Sequence, residues 1–153
     1  MSSLRTQLLF TLEISLHPIH DLGAGPLGRR RIVPVSGGRF EGPRLRGEVL
    51  PDVGGDWLLQ RADGTFRSDV RLGLRTDDGA LISLTYRGIR HAAPSVSERL
   101  ARGEDVPPDE YYLRTVAFLE TASPEHRWVN DLLAVGMGRR IPDRVIYTLH
   151  EVL

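Results

Sequence analysis

The chain has 153 residues, 20 acidic against 20 basic side chains, and neither lysine nor cysteine, so every cation is an arginine or one of five histidines. That set excludes lysine Schiff bases, pyridoxal phosphate attachment, a phosphate-binding-loop lysine, thiol nucleophiles, thiolate zinc sites and disulfides. Balanced charge argues against general nucleic-acid binding, and 16 glycines with 10 prolines point to many turns and few long helices.

The first residues carry no cationic segment followed by a long apolar core, so no signal peptide is expected. No segment reads as a membrane-spanning helix. Leu8, Phe10, Leu12, Ile14 and Leu16 alternate with polar residues and predict a half-buried strand. His17 to Gly28 reads as a loop. Arg29 to Val35 reads as a second strand, broken by Pro34 and Gly37-Gly38, and Arg44 to Leu50 as a third.

Two turns organise the middle of the chain. Asp63-Gly64 is a two-residue hairpin signal, which sets Arg61 opposite Phe66, Trp57 opposite Val70 and Asp56 opposite Arg71. Asp77-Asp78-Gly79 suits a three-residue loop with Gly79 at a left-handed bulge position. Its register sets Leu74 against Ile82, Leu72 against Leu84 and Val70 against Tyr86, with Asp69 against Arg87 and Arg71 against Thr85 on the other face. Like then meets like on both faces, which a two-residue turn does not achieve.

Pro94 to Gly103 reads as a helix with Ser95 as N-cap, Glu98 three residues on and Gly103 as the stop. Pro107-Pro108 makes a linker. Tyr111 to Glu120 is a strand, Pro124 to Asn130 a short helix or turn, and Leu132 to Met137 and Arg144 to Val152 are closing strands. There is no long-period repeat and no internal domain boundary, so residues 1–153 read as a single domain. The pattern predicts an all-β, single-domain antiparallel β-barrel, calycin-like or up-and-down, with one or two short helices. Such a barrel holds side chains or one small ligand inside.

Several runs resemble the bacterial and fungal family known as domain of unknown function 3237, also called UPF 0311. They are Gly28-Arg-Arg-Arg-Ile-Val-Pro-Val-Ser-Gly-Gly-Arg-Phe-Glu-Gly-Pro, Leu45-Arg-Gly-Glu-Val-Leu-Pro, Gly55-Asp-Trp, Asp69-Val-Arg, Arg75-Thr-Asp-Asp-Gly-Ala-Leu-Ile, Arg87-Gly-Ile-Arg-His and Glu110-Tyr-Tyr-Leu-Arg-Thr. The resemblance spans nearly the whole chain. This sequence departs from it at the longer turn Asp52-Val53-Gly54-Gly55 and at Tyr86-Arg87, where the family often has Asn-Arg. The resemblance implies a compact antiparallel β-barrel that forms a homo-oligomer, here taken as a dimer. It implies no reaction.

Candidate site residues come from the pattern itself. Asp56, Asp69, Arg71 and Arg87 form an expected polar ladder, with Arg75 further along. Inside a barrel it would hold a carbonyl or carboxylate on arginine and use an aspartate as acid or base; on the outside it is a solvated face with weak ion pairs. Trp57, Tyr86, Tyr111, Tyr112 and Trp128 would line a cavity or pack as core, with Arg114 as an added anion contact. Glu48 is a second candidate base or a strand glutamate paired with Arg44 or Arg46. The catalytic set expected is therefore Asp69, Glu48 and Arg71, and the ligand-binding set is Asp56, Trp57, Tyr86, Tyr111, Tyr112, Arg114 and Trp128.

His17, His20 and Asp21 lack the ligands of a facial metal site, so no metal is expected, and no cofactor. No serine sits in a nucleophile elbow, and Pro26 defeats the superficial dinucleotide pattern at Gly23 to Gly28. The functional expectation is a cytoplasmic protein, independent of nucleic acid and membrane, that binds a small, partly apolar metabolite carrying a carbonyl or carboxylate. Cofactor-free isomerisation, cyclisation, dehydration or lactone hydrolysis is the matching chemistry. A non-catalytic binding module and a structural barrel with a filled interior are the alternatives.

Overall fold

The computed structural model describes residues 2–153. Ten strands follow in order: β1 (Thr6–Leu16), β2 (His20–Gly25), β3 (Gly28–Glu41), β4 (Arg46–Val49), β5 (Gly55–Gln60), β6 (Phe66–Thr76), β7 (Leu81–His91), β8 (Tyr112–Glu120), β9 (Ala134–Ile141) and β10 (Arg144–Val152). A short helix, α1 (Pro94–Ala101), lies between β7 and β8, and 3-10 turns occupy Pro108–Glu110 and Pro124–Asp131. All pairings are antiparallel, and the β1–β3 pairing closes the sheet on itself. β4 and β5 both pair with β3 and β6, so together they fill one position and the closed barrel has eight staves. Closure removes the free edges of the eight staves; β2, which pairs with β3 alone among the described residues, keeps an edge.

Alternation places the core inside. One end is filled by Phe10, Leu12, Phe40, Val49, Leu74, Ile82, Leu84 and Leu149, all at most 2% exposed, with Val129 of the second 3-10 turn packed against them. Phe10 and Phe40 meet with ring centroids 5.3 Å apart. The alternation of β1 breaks once: a bulge between Leu8 and Phe10 buries Leu9 and turns Leu8 outward, against the unbroken period expected.

The segment 17–28, expected to be a loop, contains β2, which is held to β3 by backbone pairing and not by side-chain burial. Asp21 organises that ribbon: its carboxylate accepts from the Gly23 N–H at 2.8 Å and from Arg29 at 2.6 Å. Against expectation, β3 runs unbroken through Pro34 and Gly37-Gly38 and changes partners there. Its first half pairs with β2 and β5, its second with β1 and β4. Gly38, at φ +145°, sits where a Cβ would meet the Glu13 carbonyl oxygen at 2.0 Å, so only glycine lets β3 cross β1 this closely.

The β6–β7 register is the one the three-residue loop predicts, residue for residue. The Thr76 N–H donates to the Ala80 carbonyl and Gly79 adopts φ +91°. The β5–β6 register is not the expected one. Arg61 donates its N–H to Thr65 O and Gly64 donates to Arg61 O, with Gly64 at φ +85°, so this loop also has three residues and a left-handed glycine. The slip of one residue sets Gln60 opposite Phe66, Asp56 opposite Val70 and Gly55 opposite Arg71. Because side chains alternate, the slip exchanges the two faces of β5.

α1 starts after Ala93 with Pro94 in its first turn, and no side chain caps it, so Ser95 is not the N-cap that its spacing suggested. Its end follows expectation: Gly103, at φ +81°, donates to Leu100 O while Glu104 donates to Arg99 O, the paired bonds of a glycine-terminated helix. Among the described residues, no helix is long and apolar enough to cross a membrane.

Candidate functional site

The end of the barrel opposite the Phe10–Phe40 plug is open, so the interior is filled at one end only. A cavity of about 370 Å³ runs into it, within the size range of small-molecule sites. Its walls are Ile14, Val33, Val35, Val70, Leu113 and Val145, and Ser97, Leu100 and Ala101 of α1 border it. Set into this apolar wall are Asp56 from β5, Arg90 from β7, Arg140 from β9 and Arg31 from β3, with Tyr86, Tyr147, Gln60, Phe66 and Ser68.

Asp56 points inward because of the β5–β6 slip. Its ladder is interrupted: pairing runs from Asp56–Val70 directly to Leu59–Arg67. The Asp69 N–H freed there donates to Asp56 Oδ1 at 2.9 Å, and the freed Trp57 carbonyl accepts from Arg30 at 2.8 Å. The carboxylate is thus fixed by the backbone of the neighbouring strand. Burial pushes its pKa up to about 6; the Asp69 N–H bond and the charges of Arg140 and Arg90 pull it down, while the Asp69 carboxylate adds to the rise.

The two arginines are perturbed in the same sense by the same cause. Burial, reinforced by the neighbouring Arg140, lowers Arg90 to about 10, and burial lowers Arg140 as well. Arg90 lies over the Phe66 ring at 4.2 Å, which orients its guanidinium plane. The Arg140 backbone N–H donates to the Tyr111 hydroxyl at 2.8 Å. Tyr86 and Tyr147 meet edge-on with centroids 5.2 Å apart, and burial raises both phenols above their ordinary range. Arg31 donates to Gln60 at 3.2 Å, and the Ser68 hydroxyl is buried without a partner among the described residues.

Of the residues singled out from the sequence, Asp56 and Tyr86 line this cavity, and Tyr111 is buried behind it as the anchor of β9. The others lie elsewhere. Asp69, Arg71 and Arg87 project from the outer face, where Asp69 and Arg87 stand 3.9 Å apart, so three of the four ladder residues form the solvated face. Glu48 is also outside, bonded to Arg75 at 3.0 Å, and offers no buried carboxylate. Trp57 is 46% exposed because it took the face that the expected register gave to Asp56. Tyr112 stacks on His91 outside the barrel, with Arg114 at 5.0 Å from its ring, and Arg114 donates to the Leu113 carbonyl. Trp128 lies under the Arg44 guanidinium at 3.9 Å beside the Arg44–Glu151 pair, far from the cavity in the fold.

Sequence reasoning missed Arg90, Arg140, Arg31 and Tyr147. Arg90 was recoverable: it is four residues after Tyr86 on the face that the correct β6–β7 register already assigned to the interior. Away from the cavity, Asp78, Glu125 and His126 bring possible metal-ligand atoms within 4.8 Å of one another, and Asp78 already engages the His126 ring at 3.0 Å. His17 bonds Asp52 at 2.6 Å.

Fold and site together define a small β-barrel with an acid and paired arginines in an apolar pocket. The chain belongs to the family described as protein of unknown function (DUF3237), whose model matches residues 4–152. A UPF0311 protein of Rhodopseudomonas palustris is 34% identical over 151 residues, covering 99% of this chain and 98% of the relative. The crystal structure of a conserved protein of unknown function from Rhodopseudomonas palustris, 33% identical, superposes over 100% of both chains with a TM-score of 0.96. A hydroalkoxylation enzyme of Penicillium herquei, phnH, is 26% identical over 131 residues, covering 85% of this chain and 71% of that protein.

Proposed function

We propose that the barrel pocket binds a small, partly apolar metabolite carrying a carbonyl or carboxylate and moves a proton on it without a cofactor. Asp56 is the proton carrier, and Arg90 and Arg140 hold the negative charge that develops. The roles first expected of Asp69, Glu48 and Arg71 pass to these three. The observation that carries the reading is the placement of Asp56: a carboxylate in an apolar cavity, anchored by a backbone N–H, with its pKa raised by burial to about 6. A group that titrates near neutral pH both accepts and returns a proton readily.

The fungal relative named a hydroalkoxylation enzyme supports the same class of chemistry. Adding an alcohol across an alkene within one molecule breaks an O–H bond and the alkene π bond and forms a C–O and a C–H bond. Atoms and electrons balance without an oxidant or reductant, and the protein need only move one proton. In this pocket Asp56 takes the hydroxyl proton as the C–O bond forms, the π electrons pass to the oxygen of a carbonyl conjugated to the alkene, where the arginines stabilise the enolate oxyanion, and Asp56 returns the proton to the α-carbon. Cyclisation is therefore the reaction type favoured.

Native mass spectrometry of the purified protein tests the binding. A small organic adduct is expected on the wild type and absent from Ala101→Trp, which places a bulky side chain at the pocket border. An adduct retained at the same occupancy by Ala101→Trp would put the ligand elsewhere and contradict the assignment.

A further inference from the structure

The cavity contains more positive charge than its own acid can neutralise. Arg31, Arg90 and Arg140 line it against Asp56 alone. Arg31 leans toward Asp21 at 3.9 Å and bonds Gln60. Neither Arg90 nor Arg140 has a carboxylate within 4.0 Å among the described residues, although most arginines of the outer surface do. A guanidinium half withdrawn from water, as Arg90 and Arg140 are, and left without a counter-charge opposes folding, so its retention calls for an anion that arrives from outside.

We infer that the physiological ligand of this pocket is an oxyanion on an aromatic or conjugated body, a carboxylate or an ionised phenol, seated with its charge between Arg90 and Arg140. The inference rests on the proposal that the pocket binds a small molecule and narrows it from neutral carbonyl compounds to anionic ones. Three features select this class. The aliphatic wall suits an apolar body and not the polar sugar of a nucleotide. Phe66, Tyr86 and Tyr147 offer aromatic edges and faces in the same cavity as the arginines. Arg90, fixed over Phe66, presents a planar fork that matches a two-oxygen or delocalised anion.

Calorimetric titration of the intact protein with 2-naphthoate and with 2-naphthamide, its neutral counterpart of nearly the same shape, tests the inference. The carboxylate is expected to bind at least tenfold more tightly at pH 7, and the Arg90→Met, Arg140→Met double variant is expected to abolish the difference. The wild-type comparison needs no variant to fold. Equal or tighter binding of the amide would overturn the inference while leaving small-molecule binding intact. If neither compound binds, this inference and the binding proposal beneath it both fail.

Discussion

Asp56→Asn is expected to stop turnover and at the same time to stabilise the fold above neutral pH. Loss of a positioned general acid or base lowers the rate by about 10²–10⁴-fold. The stabilisation follows from linkage. The folded-state pKa of Asp56 is raised, to about 6 from 3.8, so its protonation favours the folded state at low pH, and that contribution is lost as pH rises through 6. At pH 8 the ionised carboxylate costs about 3 kcal/mol, and at pH 4 about 0.5 kcal/mol. Asparagine removes the charge and keeps an oxygen for the Asp69 N–H. Urea unfolding of the two proteins at pH 8 and pH 4 is expected to show a gain for the variant that is large at the higher pH and nearly absent at the lower. A loss of stability at pH 8 would mean that the carboxylate is paired and structural. Gain of stability on removing a group is the mark of a residue kept for function.

The largest structural effect is expected from the plug. Phe10 is completely buried against Phe40 and closes the filled end of the barrel. Phe10→Ala leaves a cavity that the surrounding staves cannot collapse to fill, at a cost of about 3–5 kcal/mol. For a chain of this length that corresponds to a fall in Tm of roughly 10 °C, measurable by calorimetry. Phe118→Ala is the matched control: Phe118 is 58% exposed on the outer face, and its removal is expected to change stability by no more than about 0.5 kcal/mol. Equal losses from the two substitutions would contradict the placement of Phe10 in a packed interior and of Phe118 on the outer face.

Much of the barrel was legible from residue patterns. The β6–β7 pairing follows from asking which loop length puts leucine opposite leucine, and every pair agrees. The closing strand Arg144–Val152 and the stop at Gly103 were read from alternation and a left-handed glycine. β2 was not legible, because its glycines and loop-like composition carry no burial signal and its order comes from backbone bonds to β3. The site was half legible for one local reason. Asp63-Gly64 reads as a two-residue turn, but Gly64 takes the bulge position of a three-residue one, and the single-residue difference decides whether Asp56 or Trp57 faces the interior. Had both glycine turns been given the same loop, Asp56 would have been separated from the outer ladder of Asp69, Arg71 and Arg87. The arginines offered no composition signal. In a chain with 20 of them, Arg90 and Arg140 differ from the rest only by the parity of their strand positions.

That parity gives the absent lysines their meaning. Arg140 ends the inward row Ala134, Gly136 and Gly138, and Arg90 ends the row of Ile82, Leu84 and Tyr86, so each row passes from the filled end to the pocket and terminates in a cation. Arginine stays charged when desolvated better than lysine does, and its planar fork binds a carboxylate through two donors.

The central claim is that Asp56 titrates near neutral pH inside the pocket. Carbon-13 NMR of the side-chain carboxyl groups across pH 3–9, with Asp56 assigned by comparison with Asp56→Asn, measures it directly. A midpoint near 6 is expected; a midpoint near 4 or below would show an ordinary ionised carboxylate and would remove Asp56 as the proton carrier.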